Sequence, residues 1–212
     1  MVVLYSGTPG SGKSLHTAQR LFYWLRLGKP AICNFPIDLK AVRKKKPDAL
    51  PFYYWENSQL TVRRLISFSK EYFAGKRIKE DSIMLVIDEA QLIFNAREWQ
   101  KKGRDNWLSF FTQHRKYGYY IILVAQFDRM IDRQIRSLIE YEYIHRKVSN
   151  FGIKGKALSL VMGGHMFVAV KVWYAMNEKV GSEFFRSRRK YYRLYDTFGD
   201  FGSGQGTRPI RG

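Results

Sequence analysis

Short uninterrupted apolar runs alternate with amphipathic stretches along most of the chain. Val2-Val3-Leu4-Tyr5-Ser6 is apolar, β-branched at its start and closed by Gly7, the pattern of a buried strand. From Leu15 the apolar positions recur at Ala18, Leu21, Phe22 and Leu25, which predicts an amphipathic helix that Gly28 ends. Residues 31–35 read as a second strand, 39–51 as a basic surface excursion, and 52–55 as a short strand. Leu60, Leu65, Phe68 and Tyr72 carry helical spacing over 60–73. Two further runs, Ile83-Met84-Leu85-Val86-Ile87 and Ile121-Ile122-Leu123-Val124-Ala125, are apolar at every position, as in strands covered on both faces of a parallel sheet. Between them the pattern predicts a loop over 95–104 and a helix over 106–117, closed by Gly118.

Strand and helix in alternation predict an α/β fold with a central, mostly parallel sheet. Beyond Ile139 the pattern changes. Residues 140–148 partly alternate, and 157–162 and 165–176 read as two strands joined at Gly163-Gly164, a β-hairpin extension. The last stretch, 199–212, is rich in Gly, Ser, Arg and Pro and reads as a disordered tail. The expected organisation is one domain over 1–198, with the extension starting at about 139, followed by the tail.

Composition narrows the class. The 212 residues carry 37 Lys+Arg against 18 Asp+Glu, a net charge of +19, so an anionic partner is expected: nucleic acid, an anionic membrane surface or an acidic protein. The single cysteine, Cys33, cannot form an internal disulfide, and a reducing, cytosolic setting is the expectation. The longest apolar stretch, 157–176, is broken by Gly163-Gly164-His165 and Lys171, so it is not a membrane span.

Candidate chemistry sits at the ends of the apolar runs. Gly7-Thr8-Pro9-Gly10-Ser11-Gly12-Lys13-Ser14 matches G-x-x-x-x-G-K-[ST] in full, between a predicted strand and a predicted helix. Glycines there let backbone N–H groups approach a phosphate, a lysine reaches the β- and γ-phosphates, and the hydroxyl of Ser14 is placed to ligate Mg2+. Asp88 and Glu89 close the strand at 83–87; Asp88 suits support of the metal and Glu89 activation of the attacking water. The pair also fits an ordinary acidic helix start. Gln126 ends the next apolar run, at the sheet edge where ligands bind in open α/β folds, and suits sensing of the γ-phosphate. Arg115, with Arg133 and Arg136 as rivals, is a candidate finger offered to a neighbouring subunit, which makes a homo-oligomer an expectation. His16, His114, His145 and His165 are scattered, and nothing has the spacing of a zinc site. Two basic clusters, Arg43 to Lys46 and Arg186 to Arg193, lie outside these motifs; the second interleaves tyrosines with cations, suiting phosphate contact and base stacking, or a lipid surface.

Taken together, these segments resemble the Zot (zonular occludens toxin) domain family, relatives of the gene I assembly protein of filamentous phages. The match is carried by residues 4–14, by Leu85-Val86-Ile87-Asp88-Glu89-Ala90-Gln91, and by Gln113-His114-Arg115-Lys116-Tyr117-Gly118 running into the strand that ends at Gln126. Residues 131–136 continue it, and Leu194-Tyr195-Asp196-Thr197 is similar to the family's closing aromatic motif. The resemblance implies an ATPase using ATP and Mg2+ at the cytoplasmic face of the host inner membrane. It would power assembly and extrusion of filamentous virions, with phage coat or membrane assembly proteins, and single-stranded DNA or a DNA-binding phage protein, as partners. A DNA-translocating ATPase for packaging or conjugation, and a nucleotide-switched adaptor at a membrane surface, are the alternatives.

Overall fold

A computed structural model of the chain describes residues 1–96, 103–152 and 166–195. The elements follow as β1 (Val2–Ser6), α1 (Lys13–Arg26), β2 (Ala31–Cys33), β3 (Phe52–Tyr54), α2 (Val62–Tyr72), β4 (Ile83–Ile87), α3 (Arg104–Gln113), β5 (Tyr119–Val124), α4 (Arg133–Arg136), β6 (Tyr141–Lys147), β7 (Met166–Trp173), β8 (Glu178–Arg186) and α5 (Arg189–Leu194). The eight strands among the described residues form one sheet in the order β3-β2-β4-β5-β1-β6-β7-β8. Pairing is parallel from β3 through to β6. It turns antiparallel only at β6–β7 and β7–β8.

The all-apolar runs lie in the middle of this sheet because both of its faces are covered there. Val3, Tyr5, Val86 and Val124 pack under α1, while Leu4, Leu85, Ile121 and Leu123 pack with α2, α3 and α4 on the other side. Alternate side chains of one strand thus feed two cores, and a polar residue on either face would be buried. Local signals set the helix ends. Thr61 Oγ1 accepts the Arg64 N–H at 3.3 Å ahead of α2, and α3 tightens into a 3-10 turn at His114–Tyr117 that Gly118 closes at φ 72°. The predicted helix over 106–117 is therefore present, its last turn overwound.

The hairpin departs from expectation in its parts. Residues 157–162 and the Gly163-Gly164 turn lie outside the described residues; the expected strand over 165–176 is β7, and its hairpin partner among the described residues is β8. That strand carries Glu178, Lys179, Gly181, Ser182 and Glu183 and forms a sheet edge with one face open to water, so it shows no apolar run to detect. The basic cluster at 186–193 likewise turns out to be partly structural. Tyr191 and Leu194 of α5 are buried against α1, and the Lys190 ammonium lies over the Phe22 ring, 4.4 Å from its centroid. Arg43 to Lys46 remain exposed between two 3-10 turns, Leu39–Ala41 and Pro47–Ala49, as expected of a surface excursion. The expected tail lies outside the described residues, and among those described no helix is long and apolar enough to cross a membrane.

Candidate nucleotide site

The strand order decides what meets at the C-terminal edge of the sheet. Because β5 lies between β1 and β4, the residue after β5 stands between the loop that follows β1 and the carboxylates that follow β4. Gly7 to Ser14, Gln126, and Asp88-Glu89 are thereby brought to one edge.

The loop from Gly7 to Gly12 is shaped by glycines in the left-handed half of backbone space, at φ 140° for Gly7 and 98° for Gly12. Space as well as torsion excludes a side chain at these two. A Cβ on Gly7 would stand 2.6 Å from the His145 carbonyl oxygen, and one on Gly12 would meet the Phe167 ring at 2.7 Å. Gly7 N–H donates to the Gln126 carbonyl at 3.1 Å, and Ser11 N–H to that of Thr8 at 3.1 Å, which fixes the loop between the two strands. Lys13, the first residue of α1, folds back over it, its Nζ donating to the carbonyls of Gly7 at 2.6 Å and Thr8 at 3.3 Å. Burial pulls the Lys13 ammonium down from its ordinary range, while Glu89 and Asp88 act in the opposite sense. The buried Ser11 hydroxyl has no hydrogen-bond partner among the described residues. A glycine-shaped loop at a helix start, with a cation folded across it, has the chemistry that suits a polyphosphate.

Asp88 is buried at 7% exposure, and its Oδ1 accepts the Glu89 N–H at 2.9 Å. Burial raises its carboxyl above the usual range; the Tyr195 phenol and the Glu89 N–H counter this. Its backbone is clamped by Asn34, which follows β2: Asp88 N–H donates to Asn34 Oδ1 at 2.7 Å, and Asn34 Nδ2 donates to the Asp88 carbonyl at 2.9 Å. Glu89 takes φ 47°, a left-handed conformation that costs a non-glycine residue roughly 1–3 kcal/mol and clusters at functional sites. Gln91 Nε2 hydrogen-bonds Glu89 Oε2 and holds the half-buried carboxylate.

Ser14 and Asp88 are hard oxygen donors that both act on the Tyr195 phenol: the phenol donates to Asp88 Oδ2, and the Ser14 hydroxyl counters the rise that burial gives the phenol's pKa. That donor set fits Mg2+, which takes one or two protein oxygens and completes its shell with water and phosphate. No cluster of three or more His, Cys, Asp or Glu side chains suited to a metal occurs among the described residues.

Gln126 is half-buried beside a cavity of about 500 Å3 lined by Ser6, Thr8, Glu142 and Ile144 among others. Ser6 Oγ donates to Glu142 Oε1 at 2.5 Å, and burial raises the Glu142 carboxyl. On the opposite face two histidines brace the loop. His145 Nδ1 donates to the Ser6 carbonyl at 3.1 Å, so its Nε2 is the acceptor for His16 Nδ1 at 2.8 Å. His16 Nε2 in turn lies 3.5 Å from Glu183, which Arg20 grips through two bonds of 2.9 and 2.7 Å. Burial holds the His145 imidazole down at about 3 and lowers that of His16 too.

Arg115 stands elsewhere. It precedes β5 and donates to Glu140 Oε2 at 2.8 Å, beside the N-terminus. That is the opposite edge of the sheet, roughly 20 Å from the loop at about 3.3 Å per strand residue. Within its own chain it does not reach the site. Arg136 lies 3.4 Å from Asp128, and Arg133 is exposed. Sequence reasoning missed the bracing residues Asn34, His16 and His145; only Asn34, a polar residue closing an apolar run, left a local trace.

Glycine loop, lysine, paired carboxylates and an intervening strand define a P-loop NTPase fold, a central mostly parallel sheet flanked by helices with a β-hairpin added at its edge. The family model for zonular occludens toxin (Zot) matches residues 1–198, and the chain belongs to that family. Among curated proteins it is similar to the gene 1 protein of Enterobacteria phage fd, 35% identical over 86 residues that make up 39% of this chain and 25% of that protein. The gene 1 protein of Enterobacteria phage I2-2 is 31% identical over a stretch of the same length. The matched stretch thus spans about a quarter of these relatives. Among solved structures, the N-terminal domain of zonular occludens toxin from Neisseria meningitidis superposes with a TM-score of 0.53 at 21% identity, covering 92% of this chain and 98% of that one. The genome packaging NTPase B204 from Sulfolobus turreted icosahedral virus 2, solved with ATP-gammaS, gives 0.52 at 17% identity over 88% and 96%. At these identities the likeness is one of fold.

Proposed function

We propose that this chain binds ATP with Mg2+ and hydrolyses it, and that hydrolysis drives assembly and extrusion of filamentous virions at the cytoplasmic face of the host inner membrane. The observation that carries the reading is the convergence of the Gly7 to Ser14 loop, Gln126 and Asp88-Glu89 at one sheet edge, in a chain of the Zot family with gene 1 proteins of filamentous phages among its relatives. Backbone N–H groups of the loop and Lys13 bind the phosphates. Ser14 and Asp88 would hold Mg2+, which when bound would neutralise phosphate charge. Glu89 takes the proton of the attacking water, held for that purpose by Gln91 and by a backbone fixed through Asn34. Gln126, on the strand end hydrogen-bonded to Gly7, relates the state of the γ-phosphate to β5 and to the segment after it.

The active form in this reading is a homo-oligomer in which an arginine completes a neighbour's site, with Arg115, Arg133 and Arg136 as candidates. Partners are phage coat or membrane assembly proteins, single-stranded DNA or its binding protein, and an anionic membrane surface that meets Arg43 to Lys46. Phosphate release from ATP tests the reading. Turnover by the wild-type chain that Glu89→Gln abolishes while nucleotide binding persists supports it; turnover at background in both excludes the hydrolytic role. A DNA-translocating motor is the second reading, favoured by the fold shared with a packaging NTPase. It requires turnover stimulated by DNA with a steep salt dependence.

A further inference from the structure

Both oxygens of the Asp88 carboxylate are occupied by the protein itself. Oδ1 accepts the Glu89 N–H and Oδ2 accepts the Tyr195 phenol. The Ser14 hydroxyl is near enough to the same phenol to counter the rise in its pKa, so the phenol stands beside both side chains through which this protein would hold a divalent cation. Tyr195 does not arrive there by chance packing. Its ring is 7% exposed and stands edge-on to Phe35 at 4.6 Å. The preceding carbonyl, that of Leu194, accepts the Asp38 N–H at 3.1 Å, anchoring the end of α5 to the 3-10 turn at Leu39–Ala41. Only the hydroxyl projects beyond this apolar seat to the carboxylate.

A phenol oxygen bonded to Asp88 and beside Ser14 takes the volume that a metal ion, or the water it would present to Asp88, needs. Without that oxygen, Oδ2 is a buried carboxylate oxygen lacking a partner, a state more costly than either alternative. We propose that the Tyr195 hydroxyl is a built-in competitor of the nucleotide-bound divalent cation: it satisfies Asp88 while the metal is away and leaves it when the metal binds. Occupancy of the metal site is thereby transmitted to α5, which packs on α1 and lies within a few residues of the end of the family match at 198. Tyr195 is a positioning residue, acting through Asp88 on metal affinity. The inference rests on the nucleotide reading above.

The test is binding of a fluorescent ADP to the full chain across a Mg2+ titration, for wild type and Tyr195→Phe, which keeps the ring and its seat. The half-saturating Mg2+ concentration is expected to fall by about tenfold in the variant, the scale of one hydrogen bond to a charged group, with affinity for metal-free ADP unchanged. An unmoved or raised Mg2+ requirement overturns the role of Tyr195 while leaving the nucleotide reading intact. Failure of the wild-type chain to bind ADP at all overturns both. Hydrogen exchange of the wild-type chain gives a readout free of any folding defect in the variant: amides of 189–195 should exchange faster once Mg2+ is added to the ADP complex, and unchanged exchange overturns the proposal.

Discussion

Lowering the pH from 7 to 5 should bring a loss of stability at His145, and replacing that residue should remove its share of the pH dependence. Its imidazole is 2% exposed, donates Nδ1–H to Ser6 and accepts from His16, so no site is left for a second proton. Burial, reinforced by His16, holds it down at about 3, against an ordinary 6.5 in the unfolded chain. Between those values the unfolded state binds a proton that the folded state refuses, so stability is full above pH 6.5 and is lost as the pH falls. At pH 7 about a quarter of the unfolded imidazoles are protonated and at pH 5 nearly all, which integrates to about 2 kcal/mol between the two. The folded value lies below both pH values and hardly enters the sum. The measurement is urea unfolding followed by tryptophan fluorescence at pH 7, 6 and 5 and fixed ionic strength, for wild type and His145→Gln, whose amide offers one donor and one acceptor. Other groups titrate in this window, so the informative quantity is the change with pH of the difference between the two proteins. That difference should shift by about 2 kcal/mol in favour of the variant on going to pH 5. A difference independent of pH would refute the assignment of His145 as a neutral, doubly bonded brace behind the phosphate loop.

Further outcomes follow from the same geometry. Lys13→Ala should reduce ATP affinity by at least tenfold in a fluorescent-nucleotide assay while leaving the fold intact, since the ammonium's hydrogen bonds among the described residues go to loop carbonyls; unchanged affinity would sink the phosphate-loop reading. Glu89→Gln should keep nucleotide binding and lower turnover by about 10²–10⁴, the usual contribution of a general base, as measured by phosphate release. Gly12→Ala should destabilise by about 1–3 kcal/mol from its left-handed backbone and the approach to Phe167. Adding Phe167→Leu should recover the steric part alone, as judged by urea midpoints. Asn34→Ala leaves the Asp88 N–H and carbonyl buried without their partners and should cost about 2–4 kcal/mol; a loss below about 0.5 kcal/mol would mean that water replaces the clamp.

The strands at Val2–Ser6, Ile83–Ile87 and Tyr119–Val124 were legible because burial on both faces removes any choice of polarity, and α1 was legible because one stripe of it is buried. The phosphate loop was readable for a related reason. Its glycines answer to local torsion and close approach, which a short contiguous motif records in full. Invisible by the same logic were β8, whose water-facing edge writes no apolar pattern, and α5, whose basic residues masked two buried positions, Tyr191 and Leu194.

Sequence alone determined the α/β class, the glycine loop with its lysine, and the carboxylates that follow the buried strand at Ile83–Ile87, since each is encoded by neighbouring residues. Tertiary structure decided how those parts meet. Insertion of β5 between β1 and β4 sets Gln126 between loop and carboxylates, and the same sheet carries Arg115 to its far edge. The pairing of β6 with β1 stands His145 behind Gly7, and the return of the chain after β8 brings Tyr195 onto Asp88, 107 residues away. Contacts between residues this distant depend on strand order and helix packing, which are properties of the assembled sheet, so no stretch of the sequence carries them by itself.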